Sequence, residues 1–186
     1  MKSEKKYIEM VHYVINKCKN PSNLGATKLN KILWFSDTFA YRSIGVSISG
    51  CAYEKRQHGP VPRGVVSVLD QLVKKQKIAV KEPDTKYAPR EFVSLSPPDT
   101  AVFSDDEREI LDIVIDEITE NHTAKSISDL SHDAIWNAAN IGEEIPLFAV
   151  FAVAEEEPSD KDFARAMRVV KRVIKDTKDH HHSEVA

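Results

Sequence analysis

The chain has 186 residues, enough for one domain of ordinary size with a short appendage, and its 41% hydrophobic and 8% aromatic residues suit a packed core. A formal net charge of -3 excludes a globally basic nucleic-acid-coating protein. No run approaches the ~20 apolar residues of a membrane span, and the start Met-Lys-Ser-Glu-Lys-Lys lacks the apolar centre of a signal peptide, so a cytoplasmic location is expected.

Residues 3–19 predict a first helix. Tyr7, Val11, Val14, Ile15 and Cys18 recur at helical spacing, with Glu4, Lys5, Glu9 and Lys17 off the stripe and Ser3 as the N-cap. Asn20-Pro21-Ser22-Asn23 is turn chemistry. A second helix is predicted over 26–43. Leu29, Ile32, Leu33, Ser36 and Ala40 define one face, and Trp34, Phe35 and Phe39 widen it. So broad an apolar face marks a helix buried on more than one side, closed by a left-handed Gly45.

Residues 46–55 read as a short strand or extended segment. In His58-Gly59-Pro60-Val61-Pro62 each proline holds the residue before it extended, and Pro62 suits the first position of a helix running to Gln76. Val65, Val66, Leu69, Leu72 and Val73 are its expected inner face. Its cap position, Val61, has no capping oxygen, so the amides of Arg63, Gly64 and Val65 need an acceptor such as Asp37, Glu54 or a group on a partner. Residues 78–82 and 91–96 predict two strands, giving a helix followed by a β-hairpin, the outline of a winged-helix unit.

Ser104-Asp105-Asp106-Glu107 is a capping box, and Ile110, Leu111, Val114, Ile115 and Ile118 carry the following helix to about Glu120. A short helix is predicted over 123–130, another from Ser131-His132-Asp133 carrying Ile135 and Trp136, a loop over 142–146, and an unclassified apolar run over 147–154. Residues 160–177 predict a separate amphipathic helix with an apolar stripe of Phe163, Met167, Val170 and Ile174. Arg165, Arg168 and Arg172 are among its flanking cations. The organisation expected is a domain over 1–154, this helix within 155–178, and a disordered tail over 179–186.

The chain lacks a nucleophile elbow, a phosphate-binding glycine loop and a His/Glu pattern at metal spacing, so no cofactor, metal or catalytic residue is expected. Cys18 and Cys51 read as buried reduced thiols; Cys51 with His58 is the one pairing with nucleophilic chemistry, and it lacks an orienting group. His180, His181 and His182 read as an incidental tail cluster. Lys74, Lys75, Lys77, Lys81, Lys86 and Arg90 make a local basic patch, but the helix of the winged outline offers few side chains for base edges.

Thr27-Lys-Leu-Asn-Lys-Ile-Leu-Trp-Phe-Ser-Asp37, Gly45-Val-Ser-Ile-Ser-Gly50 and His58-Gly-Pro-Val-Pro62 together resemble the Panacea domain of SocA-like antitoxins, long described as phage-associated. Phe103-Ser-Asp-Asp-Glu-Arg-Glu109, the run Ala124–His132 and Trp136 extend the similarity to roughly residues 5–150. His58 stands where the family has an aromatic residue, Trp34 and Ser36 replace Tyr and Ala, and Ser49 departs from the family's usual residue type. The resemblance implies an antitoxin that binds and blocks a cognate toxin protein; in one branch of the family it also delivers the toxin to a cytosolic protease. The fold expected is α+β, mainly α, with a small antiparallel hairpin. The toxin-contacting surface expected comprises Lys28, Lys31, Asp37, His58, Gly59, Pro60 and Arg63, with Arg165, Arg168 and Arg172 of the last helix. The alternative is a winged-helix nucleic-acid-binding regulator.

Overall fold

Helix α2, Gly25–Ile44, is the axis around which the other elements pack. In the computed structural model the described residues are 2–83, 85 and 88–151. The predicted helix and tail over 155–186, with Arg165, Arg168, Arg172 and the three tail histidines, lie outside them, as does Lys86. Leu29, Ile32, Leu33, Ser36 and Ala40 are all buried, and each fully buried aliphatic side chain contributes about 1.5–3 kcal/mol. Trp34 is buried as well, but Phe39 is 60% exposed, so the apolar surface of α2 is narrower at its carboxy-terminal end than its sequence indicates. Gly45 closes the helix at φ 77, where a side chain would be strained.

Helix α1, Lys2–Lys17, buries the expected Tyr7, Val11, Val14 and Ile15. It starts ahead of Ser3, whose hydroxyl donates to the Ser49 carbonyl instead of capping. Glu9, expected on the wet face, is buried and accepts from Lys77 Nζ at 3.2 Å and the Asp99 amide at 2.9 Å. A buried carboxylate is tolerated there because it has both a counter-ion and a hydrogen-bond donor.

Strands β1, Tyr53–Arg56, and β2, Gly59–Pro62, form an antiparallel hairpin, with Tyr53 opposite Pro62 and Lys55 opposite Pro60. This corrects the sequence expectation. Pro62 ends a strand; it does not open a helix. The prolines fit because β2 is an edge strand. The backbone of Lys55, opposite Pro60, also bonds on its other side: its amide donates to the Glu143 carbonyl and its carbonyl accepts from the Gly142 amide, each at 2.9 Å. The missing proline N–H therefore costs the ladder nothing. Residues 144–145, expected as loop, are strand β5 (Glu144–Ile145), which completes the order β2-β1-β5.

Helix α3, Val65–Lys74, starts three residues later than predicted, after a left-handed Gly64. It buries Val65, Val68 and Leu72, while Val66 and Val73 face solvent. Strands β3, Ile78–Lys81, and β4, Glu91–Ser94, pair as the expected hairpin and bury Ile78 and Phe92. Helix α4, Asp105–Asn121, begins at the predicted capping box: Ser104 Oγ accepts from the Glu107 amide and Glu107 accepts from the Ser104 amide. Helices α5, Ala124–Leu130, and α6, Ala134–Ala138, are capped by Thr123 and Asp133. Leu147–Phe151 forms a short 3-10 turn. The architecture is α+β, mainly α, with a three-stranded and a two-stranded antiparallel sheet.

Candidate functional site

The β1–β2 hairpin is held from below by polar groups of α2. Asp37 has no exposed surface. Its Oδ1 accepts from the amides of Ile48 and Ser49 at 2.8 Å each, and its Oδ2 accepts from Tyr53 Oη at 2.7 Å and from Ser49 Oγ. One carboxyl thus ties the loop after α2 and the first residue of β1 to the helix. Burial pushes the Asp37 carboxyl up, and the four hydrogen bonds act against that shift. Trp34 and Tyr53 meet edge-to-face with centroids 4.9 Å apart, and with Ile145 they form a small separate core beneath the sheet.

Six residues earlier on α2, Lys31 is 1% exposed and donates to the Pro60 carbonyl at 3.1 Å. Burial pulls its ammonium down to about 7. Gly59 is the residue that makes room for it. Its φ is 103, and an added Cβ would strike both Lys31 Nζ and Ser131 Oγ. The turn is further pinned by Ser128 Oγ, which donates to the His58 carbonyl at 2.9 Å.

The same inward face of the sheet carries a second stack beside Tyr53. Lys55 is buried; its Nζ donates to the Ala139 carbonyl at 3.0 Å and lies 3.8 Å from the Trp136 ring centroid. His132 stacks on Trp136 at 3.9 Å between centroids and 16° between planes. The indole Nε1 donates to the Arg56 carbonyl at 3.2 Å. Burial lowers the His132 pKa, with the neighbouring Lys31, His58 and Lys55 acting in the same direction and Asp129 against it.

The residues expected at a toxin-contacting surface therefore divide. Lys31, Asp37, Gly59 and Pro60 are buried and shape the hairpin from beneath, while His58 and Arg63 are exposed on it. Lys28 is also buried, but it lines a cavity at the other end of α2. Arg63 bridges Glu54 at 2.7 Å and Glu144 at 2.8 Å across all three strands. The open amides expected at Val61 are not where the sequence put them. The Arg63 amide donates to the Ala52 carbonyl at 2.8 Å, and neither Asp37 nor Glu54 caps α3, whose start has no side-chain cap. The Cys51 thiol is pushed up to about 12 by burial, with the Asp37 charge adding to it. It is therefore protonated at neutral pH and a poor nucleophile.

Sequence reasoning missed Ser49, Tyr53, Lys55, Ser128 and Ser131 as parts of this site. The signal that could have found them is the inward alternation of Tyr53 and Lys55, which a lysine at the second inward position disguises. Among the described residues no group of three or more His, Cys, Asp or Glu could hold a metal ion, and no helix is long and apolar enough to cross a membrane. No curated protein and no solved structure matches the chain. The family model described as Antitoxin SocA-like, Panacea domain, matches residues 29–137, which run from the first buried leucine of α2 through the hairpin to α6. The chain belongs to the SocA-like antitoxin family and carries its Panacea domain.

Proposed function

We propose that the protein neutralises a cognate toxin protein by binding it directly through the β1–β2 hairpin and the adjoining α6 surface. The observation that carries this reading is the preorganised hairpin. Asp37, Lys31, Lys55 and Ser128 fix its backbone from below, and the exposed Arg56, Gln57, His58 and Arg63 stand on that fixed frame. A surface already ordered before binding loses little conformational entropy on association. The half-buried Trp136 beside it supplies an aromatic anchor of the kind that dominates protein interfaces.

The protein acts in this reading as a binding partner and not as an enzyme. The exposed positions of α3 are Val66, Ser67, Asp70, Val73 and Lys74, which favours a protein partner over the readout of base edges. The test is co-expression with the product of a neighbouring reading frame that is toxic alone. His58→Asp and an Arg63→Glu charge reversal are expected to lose rescue of growth while the purified variants stay folded. Full rescue by both variants overturns the assignment of this surface. In the adaptor form of the reading, the toxin's half-life falls only when the antitoxin and a cytosolic protease are both present. Tight, salt-sensitive binding to its own promoter would favour the nucleic-acid reading instead.

A further inference from the structure

The amino-terminal end of α2 opens into a cavity of about 440 Å³, on a different part of the helix from the hairpin. Two independent features of its lining point to an anion. The first is the helix start. Leu24 precedes it in a helical conformation and supplies no side-chain cap, so the first amides of a 20-residue helix have no side-chain acceptor. They carry the positive end of its dipole. The second is Lys28. It is 6% exposed and lines the cavity, and no hydrogen bond or ion pair holds it among the described residues. The cavity's other basic side chains already have acidic neighbours: Arg90 Nε lies 3.2 Å from Glu82, and His122 Nε2 lies 3.3 Å from Glu117. Glu120 and Cys18 act on Lys28 only through space, and burial lowers its pKa against them. The Lys28 ammonium has no counter-ion among the described residues, and an anion at the helix start would pair with it and accept from the first amides together.

We propose that this cavity binds a small phosphate-bearing anion, with the phosphoryl group seated on the first amides of α2 and against Lys28. The volume lies within the range of small-molecule sites and exceeds what one phosphate fills, so a phosphate ester of nucleotide size fits better than inorganic phosphate. No phosphate-binding motif marks the site in sequence, because the donors are backbone amides and one buried lysine. The inference does not depend on toxin binding.

Isothermal titration of the full chain with inorganic phosphate, ADP and adenosine tests it. ADP is expected to bind at least tenfold more tightly than phosphate, adenosine not at all, and affinity to fall with added salt. Equal affinity for ADP and phosphate assigns the site to the free anion; the phosphoryl seat then stands and the nucleotide-size part is overturned. Ala26→Asp places a carboxylate at an exposed position in the first turn, where it suits the helix dipole and keeps the fold. It is expected to abolish ADP and phosphate binding. Lys28→Met is expected to weaken both at least tenfold, and Lys125→Met, whose lysine is exposed and paired with Asp129, to leave them unchanged. Binding that survives Ala26→Asp and Lys28→Met undiminished, or no binding of either phosphate ligand at millimolar concentration, overturns the proposal.

Discussion

The two hairpins of this domain are built on opposite principles. β3–β4 is held by apolar burial: Ile78 and Phe92 point into the main core. β1–β2 is held by polar burial. An aspartate, two lysines and several hydroxyls lie under or within it, and only Trp34, Tyr53 and Ile145 make its small core. Apolar contacts are non-directional and tolerate adjustment, whereas each buried polar contact fixes a distance and an angle. The first hairpin is thus the more precisely shaped of the two and the more easily broken by one substitution, which suits a surface that must match a partner.

The comparison breaks most visibly at Asp37. Asp37→Ala leaves two buried amides and two hydroxyls without their acceptor, and removing one member of a buried polar network costs about 4 kcal/mol. Urea unfolding should show this loss together with loss of toxin rescue. Phe92→Ala, in the other hairpin, should cost about 3 kcal/mol, toward the lower end for such a deletion. Its register partner Val80 is only half-buried, so the site can partly collapse. Rescue should persist in Phe92→Ala wherever the protein remains folded. Equal loss of rescue in both variants at matched stability would remove the functional distinction between the hairpins.

The same contrast explains what the sequence disclosed. β3–β4 was legible because Ile78, Val80 and Phe92 follow the strand pattern between turn residues, and α4 because its capping box is a local signal. β1–β2 was not. Its inward positions include Lys55, its outer strand contains two prolines, and its third strand is two residues long. Each of these hides a strand from a reading of hydrophobic period. Of the residues expected at the surface, Lys31, Asp37, Gly59 and Pro60 lie beneath the hairpin, and Lys28 lies at the other end of α2. Lys28, Lys31 and Asp37 are charged and were expected to face a partner, yet all three are buried, because α2 is covered on nearly every side. Burial of a charge depends on partners distant in sequence, such as Ser49 and Tyr53 for Asp37, and no local pattern reports it.

Gly59→Ala probes the contact between the turn and the lysine beneath it. The φ of 103 strains any side chain, and the new Cβ meets Lys31 Nζ and Ser131 Oγ. Because both are ends of side chains that can move, the expected cost is about 2 kcal/mol. Lys31 would leave the Pro60 carbonyl as it moved. A double variant with Lys31→Met should therefore be less destabilised than the sum of the two singles, and strict additivity in denaturant melts would show that the two residues do not share the space.

Lys31→Met alone should have the smallest effect at neutral pH, and its sign is informative. The folded ammonium titrates near 7, well below the ~10.4 of an unfolded lysine. Below pH 7 the lysine is protonated in both states, so the folded protein carries the full cost of burying the charge. Between pH 7 and about 10.4 the unfolded chain holds a proton that the folded chain sheds, so wild-type stability from this group rises with pH, by at most about 1.4 kcal/mol per unit. Methionine occupies a similar volume without the charge and lacks this dependence. The variant should be more stable than wild type by about 2 kcal/mol at pH 6, with the difference shrinking toward zero by pH 9. Denaturant melts across that range decide it. A constant difference between the two proteins would mean that Lys31 keeps an ordinary, hydrated ammonium, and that β1–β2 rests on Asp37 and Lys55 without it.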